Sequence, residues 1–509
     1  MRRGLRVRAL GAALATGLLL ASASPSMAQV QLGGDIDGDG VRRFVGSEIG
    51  LSDDGLRLAT WVHADHGSDD PVGAVRCFAY DGADWRRLGS DIPIPVPQHE
   101  AGFQIALSGD GATVAVATVF FLPPSHPSGA LFGGAIEVFG FDGTDWRPRG
   151  SVTWDDPSKF LGAPLSLSTD GTRLAVSAFG RDDNRGLVEV YEFDGAGWAR
   201  LGQPVEGLEA GETFGHAVEL SGDGRRLVVG APDTWNDSGD GGKVRVFEYD
   251  GSTWRQLGND IEGGAGDYFG SELWVSPTGT HLAAVAPGRY EGDGRVQLYS
   301  LEAGRWSPSG PPIPTAPGWV GETAIDLSDD AAVLAFSTRN ADRPSHNGRV
   351  HTYLRTDEGW EAIAEVVGEH PRDHFGTDVA LSASGMRLAG GAMWNSDGGE
   401  YAGHIRVFEL DVPERPAPPP PTPNSPLLLY PSPTTDWLEV RLPTTPDNQT
   451  GEWPGAELAV YTFDGRLVAR HALGPTTELD VSGLAPGGYL ARVTGLEGGG
   501  ETIPFAVIR

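Results

Sequence analysis

Residues 214–261 read FGHAVELSGDGRRLVVGAPDTWNDSGDGGKVRVFEYDGSTWRQLGNDI, a stretch that divides into four short strands with three connections. Residues 214–220 alternate about apolar positions and end at Ser221-Gly222-Asp223-Gly224, a tight-turn composition. Residues 227–230 form a compact apolar run, as expected for a strand buried on both faces. After a polar loop over 233–242, residues 243–249 alternate again, with Val244 and Val246 on one face and Phe247 and Tyr249 on the other. Asp250-Gly251 then turns the chain into a last strand at Trp254. One such sheet cannot hide both faces from water, so it needs copies of itself as neighbours.

The copies are present. The third strand recurs at residues 74–78, 135–139, 187–191, 295–299, 349–353 and 404–408, each led by a glycine. These seven third strands, at a period of roughly 50–60 residues, suit four-stranded propeller blades. The tryptophan of the fourth strand recurs as Trp85, Trp146, Trp198, Trp306 and Trp360. After the seventh third strand, however, Leu410-Asp411-Val412-Pro413 leads into a proline tract with no tryptophan. The missing piece stands at the other end of the chain. Gln31-Leu32-Gly33-Gly34-Asp35-Ile36 matches Gln256-Leu257-Gly258-Asn259-Asp260-Ile261. The expected fold is therefore an all-β, seven-bladed β-propeller over residues 29–411, closed by an N-terminal strand that removes the open sheet edges.

The first 28 residues read as a secretory signal peptide. Arg2, Arg3, Arg6 and Arg8 make its basic end, residues 9–21 its apolar core, and Ser26-Met27-Ala28 a small-x-small cleavage site. The apolar run is too short to span a bilayer, and no later stretch suits a transmembrane segment. The formal charge is −31, and loss of the four leader arginines takes it to −35. Such acidity excludes nucleic acid and anionic membrane as partners. Lys159 and Lys243 are the only lysines. The single Cys77 rules out an internal disulfide; it stands at an apolar third-strand position and reads as a buried small hydrophobe.

Residues 412–426 form a Pro-rich linker, with eight prolines between 413 and 426, which predicts an extended, semi-rigid spacer. Residues 427–509 make a separate unit. Short alternating runs at 438–442, 458–463, 467–471, 479–481, 489–493 and 505–508 predict a small Ig-like β-sandwich.

Two family resemblances follow from these residues. The propeller repeats resemble the FG-GAP-type repeats of integrin α-chain heads and many bacterial surface proteins. They do so through Phe214-Gly215, Leu220-Ser221, Asp223-Gly224, Gly230-Ala231-Pro232, residues 244–247 and residues 254–261. That family commonly holds calcium in an Asp-x-Asp-x-Asp-Gly loop between the first two strands. Here the loop is shortened to Ser-x-Asp-Gly, and calcium is not expected there. Asp35-Ile36-Asp37-Gly38-Asp39-Gly40 has the form of a calcium loop, which makes Asp35, Asp37 and Asp39 the candidate metal ligands. The run also aligns with Asp260-Ile261-Glu262-Gly263-Gly264, the linker between blades, so the repeat itself accounts for it and no cofactor is expected.

The C-terminal unit resembles the type A sorting domain of the type IX secretion system. Its carrying residues are Tyr430-Pro431-Ser432-Pro433, Val460-Tyr461, Asp464-Gly465-Arg466-Leu467-Val468 and Leu484-Ala485-Pro486-Gly487-Gly488-Tyr489. The resemblance implies passage across the inner membrane by the leader, then across the outer membrane by recognition of this domain, often followed by its removal. The type IX secretion machinery is thus an expected partner, and the expected location is secreted or at the cell surface.

No catalytic signature is present: there is no G-x-S-x-G elbow, H-E-x-x-H motif or phosphate loop. His370 and His374 flank Pro371 in a blade-joining segment and read as solvated loop. The loops between second and third strands, by contrast, change freely between repeats and carry Phe120, Phe121, Trp235, Tyr290, Trp394 and Tyr401 among Asn, Asp and Gly. In a propeller these loops share one rim with the blade-joining segments. Trp235, Tyr290, Trp394 and Tyr401 are therefore the candidate ligand-binding residues, either as a surface for an extracellular glycan or protein or as simple rim packing. A recognition or adhesion module leads the functional expectations. A glycan-active enzyme, marked by acids converging in the central channel, and a structural envelope component are the alternatives.

Overall fold

A computed structural model describes residues 29–63, 72–95, 100–121, 132–152, 164–232, 241–288, 294–315, 324–338 and 345–412, together with seven short strands between 428 and 507. Seven separate sheets make seven blades, numbered here in chain order from the one opening at Ile49–Leu51 to the one opening at Val379–Leu381. Blade 4 shows the plan. Ala217–Leu220, Arg226–Ala231, Lys243–Tyr249 and Trp254–Gln256 run antiparallel in that order, and Ile261–Glu262 pairs back onto the third strand. Leu227, Val228 and Val229 are wholly buried, as a strand covered on both faces should be.

The turn between the first and second strands is built from its own side chains. In blade 4 the Ser221 hydroxyl donates to Asp223 Oδ1 at 2.7 Å and accepts the Arg226 N–H at 2.9 Å, while Gly224 takes φ +62°. These short turns then bond to one another around the axis. Asp53 N–H donates to Gly109 O, Gly109 to Thr169, Thr169 to Gly222, and Gly222 to Pro277. Asp329 N–H donates to Ala383 O, and Ala383 to Asp53. Pro277 has no N–H to give, so the step from blade 5 to blade 6 has no donor.

Blade 7 takes its outer strand from the start of the chain. Gln29–Gln31 lies antiparallel to His404–Leu410, with Gln29 opposite Leu410 and Gln31 opposite Phe408. Ile36 and Asp37 then pair with Ile405 and His404. The repeat is kept atom by atom. Leu32 N–H donates to Val407 O at 2.8 Å, as Leu257 N–H does to Val246 O. Gln31 reaches Asp35 at 2.7 Å, as Gln256 reaches Asp260 at 2.6 Å. In four blades the fourth-strand tryptophan caps the same carbonyl of the blade before: Trp85 Nε1 donates to Leu32 O, Trp146 to Leu88 O, Trp254 to Leu201 O and Trp306 to Leu257 O. Between blades 7 and 1, Leu32 and Ile36 join Val45, Leu58, Ile405 and Val407 in one buried apolar cluster. Cys77 is buried in the next cluster, and burial pushes its thiol far up from the ordinary value.

The C-terminal strands form two sheets, one of Leu428–Pro431, Trp437–Arg441 and Thr476–Asp480, the other of Leu467–Ala472, Glu457–Thr462, Gly487–Thr494 and Thr502–Val507. Tyr430 pairs with Glu439, Gly488 with Ala506 and Tyr489 with Phe505. Pro433 and Gly465 lie outside the described residues, as do the leader and residues 413–427.

Candidate functional site: an aromatic rim above an acid-lined channel

At three junctions among the described residues, the blade-joining segment meets the second-to-third-strand loop of the blade before it by one backbone device. His374 N–H donates to His346 O, Phe44 N–H to Tyr401 O, and Thr213 N–H to Asn184 O. The following residues repeat the contact, with Phe375 donating to Asn347 O, Val45 to Ala402 O and Phe214 to Arg185 O. All six residues of the first set have φ between +48° and +61°. A side chain in this left-handed region costs about 1–2 kcal/mol, so the surrounding hydrogen bonds must hold it there.

Where both members of a pair carry rings, the rings stack. His346 and His374 lie 5.6 Å apart at 11°, and Phe44 and Tyr401 lie 6.3 Å apart at 7°. Trp394 joins the two pairs, 4.4 Å from His374 and 6.2 Å from Tyr401, and Phe44 continues the row to His63 at 5.0 Å. The row crosses blades 6, 7 and 1. Its centre stays in water, with Trp394 42% and Tyr401 39% exposed. The loop beneath is held by buried Asn395, whose N–H donates to Ala392 O while its carbonyl accepts Gly403 N–H.

Of the residues expected at the rim, Trp394 and Tyr401 are thus brought together, while Trp235 and Tyr290 lie outside the described residues. Phe120 and Phe121 close the strand Thr113–Phe121. Phe44, His63, His346 and His374 were not anticipated, and His374 had been expected as solvated loop. A signal for three of them exists in the repeat. Phe44 and His374 stand just before the Val-Gly and Phe-Gly that open their blades, and His346 and Tyr401 two places before a third-strand glycine.

The central channel is a cavity of 310 Å³ lined by the first strands of the blades. Glu219 and Asp326 line it, and with half-buried Glu48, Glu272 and Asp378 they form a group of five mutually repelling acids. Three of them stitch blades together. Glu219 accepts the Ser166 hydroxyl at 2.9 Å, Asp326 the Leu381 N–H at 2.6 Å, and Asp378 the Ile49 N–H at 2.7 Å. Burial raises their carboxyls, joined at all but Asp378 by repulsion from other acids: Glu219 and Glu272 to about 8, Asp326 to about 7 and Asp378 to about 6, with Glu48 also well up.

A pH dependence follows. In the unfolded chain these acids release their protons near pH 4, so between about pH 4 and 8 the folded protein holds more protons than the unfolded one. Folded-state pKa values raised in this way give stability that is full below the unfolded value and lost as pH rises. The melting temperature should therefore fall by several degrees between pH 5 and 8, and Glu219→Gln should flatten that slope. A melting temperature that climbs across this window would contradict the protonated channel.

The 35–40 run divides. Asp39 turns to the guanidinium groups of Arg76 and Arg87, each at 3.0 Å. Asp35 and Asp37 converge instead on the buried imidazole of His404.

Residues 428–502 match the family of secretion system C-terminal sorting domains. A domain of this kind delivers its chain to the type IX secretion machinery, which makes the protein secreted or cell-surface. No curated protein is detectably similar in sequence. Among solved structures, the chain is similar to a protein of Bacteroides uniformis ATCC 8492 provisionally assigned as a 6-phosphogluconolactonase, at 17% identity and TM-score 0.41, over 64% of this chain and 86% of that one. It is also similar to the hydrazine synthase of Kuenenia stuttgartiensis, at 13% identity and TM-score 0.45, over 75% of this chain and 98% of that one. No helix among the described residues is long and apolar enough to cross a membrane.

Proposed function

We propose that this is an exported recognition or adhesion propeller, and that the rim of blades 6, 7 and 1 binds an extracellular glycan or protein without turning it over. One observation carries this: Trp394 and Tyr401 remain exposed although they sit in a row of rings fixed by paired left-handed backbones. A pre-set row of flat faces stacks on a sugar or a partner side chain with little ordering cost. Simple packing would have turned those rings inward. Several finer assignments belong to the same proposal: the leader at residues 1–28, the FG-GAP-like origin of the repeats, the sandwich form of residues 427–509, and the N-terminal strand as the clasp of the ring. The atom-by-atom match of Gln31–Ile36 to Gln256–Ile261 supports the last of these.

The test is binding of parent, Trp394→Ala and Tyr401→Ala to a glycan array and to cells. Each variant should lose tenfold or more in affinity, the equivalent of about 1.4 kcal/mol, at an unchanged melting temperature. Parent-level binding by both variants would remove the rim from the interaction. A second function class has its own support in the channel, where acids raised to between about 6 and 8 could act as general acids at neutral pH. Release of reducing ends from any bound array glycan, abolished by Glu219→Gln or Glu272→Gln, would decide for the glycan-active enzyme.

A further inference from the structure

The geometry points to a divalent transition-metal site formed by Asp35, Asp37 and His404, which fastens the N-terminal segment to the third strand of blade 7. Asp37 stands directly opposite His404 in the antiparallel ladder, and Asp35 lies on the same face two residues away. His404 is 0% exposed, yet neither ring nitrogen has a hydrogen-bond partner. Its Nδ1 lies 3.8 Å from an oxygen of Asp37 and 4.0 Å from one of Asp35. These three donor atoms lie within 4.8 Å of one another. Such gaps are too long for hydrogen bonds and suit the spaces between ligands around one ion, since metal–ligand bonds near 2.0–2.2 Å set neighbouring donors roughly 3–3.5 Å apart.

The other blades divide at this position, with Ala74, Ala135 and Leu187 in blades 1 to 3 and a cation in blades 4 to 6. Blade 4 places Lys243 opposite Glu262, and blades 5 and 6 place Arg295 and Arg349 at the same register. In those blades a fixed positive charge meets the linker. Blade 7 has an imidazole there, buried and with both ring nitrogens unpartnered. Imidazole and carboxylate are common ligands of one divalent ion. Arg406 is engaged with Glu369 and the Val367 carbonyl. One imidazole nitrogen with two carboxylates is a zinc or manganese donor set; calcium prefers oxygen throughout. Asp39, the third acid of the run, is excluded by its two arginines. The exposed trio Glu369, His370 and Asp397 has its own ion pair and no orphaned buried nitrogen.

The experiment is zinc titration of the untagged mature chain after chelator treatment, read by calorimetry and by thermal melting. The parent should bind one equivalent, and at a hundredfold excess over Kd its melting temperature should rise by about 3 °C. Asp37→Asn and His404→Gln should each weaken binding at least tenfold, while Asp39→Asn and His370→Ala should bind as the parent does. Should His404→Gln fail to fold, the surface variant Asp37→Asn decides alone. Absence of a stoichiometric site in the parent, parent-like affinity in Asp37→Asn, loss of binding in His370→Ala instead, or a site filled by calcium and not by zinc would each overturn the assignment.

Discussion

A mature chain lacking residues 29–36 should melt about 5–8 °C below the parent and aggregate from the partly open ring. The size of the effect comes from three losses. Leu32 and Ile36 leave the cluster between blades 7 and 1, and burying such a side chain is worth about 1.5–3 kcal/mol each. Trp85 loses the carbonyl that its indole N–H now meets, leaving a buried donor unmade at about 1–3 kcal/mol. The third strand His404–Leu410 then becomes a bare edge, open to pairing with another molecule. Spread over the unfolding entropy of a propeller of this length, these terms give the expected shift. Val30 is exposed, so Val30→Ala is the control and should melt with the parent. Scanning calorimetry with size-exclusion chromatography measures both parts of the effect. An unchanged, monomeric melt would show that the ring is held without its N-terminal strand.

Removal of residues 427–509 should lower the amount of protein outside the cell by tenfold or more and leave a folded propeller in the periplasm. The matched sorting domain lies wholly within the deleted part, while every strand of the seven blades lies before residue 412. The cut falls beyond the last blade strand, His404–Leu410. Cell fractionation with an antibody to the propeller reads the location, and protease resistance of the retained material reads its folding. Normal external amounts of the truncated chain would mean that the sorting domain is dispensable. Degraded periplasmic material would mean that the propeller depends on its tail.

Much of the architecture was legible because its causes are local. The period of two in Val244-Arg245-Val246-Phe247, the Ser-x-Asp-Gly turns and the recurring tryptophans are each decided within a few residues. Repetition then multiplies a weak local signal sevenfold. Trp394 and Tyr401 were legible as exposed rings on a variable loop, but their stacking partners were not. Phe44 precedes Val45-Gly46, and nothing in its immediate sequence says that a loop from the far end of the chain will lie over it. His374 reads locally as loop beside Pro371, and its ring is placed by His346 of the blade before. The alternation in the third strand was also only half the account, since Arg245 is as buried as the valines beside it, held by Glu212 and Asp260.

By itself, the sequence determined the all-β class, the number and phase of the blades and the tail at 428–502. Those follow from periodicity, turn chemistry and internal copies, which need no knowledge of distant contacts. Only the tertiary structure decided which side chains meet once the blades are arranged. It brought five acids from different blades together, where burial raises them, and split Asp39 from Asp35 and Asp37. It placed Asp37 opposite His404, from the opposite end of the propeller, because strand register pairs residues by position in the ladder and not by distance along the chain.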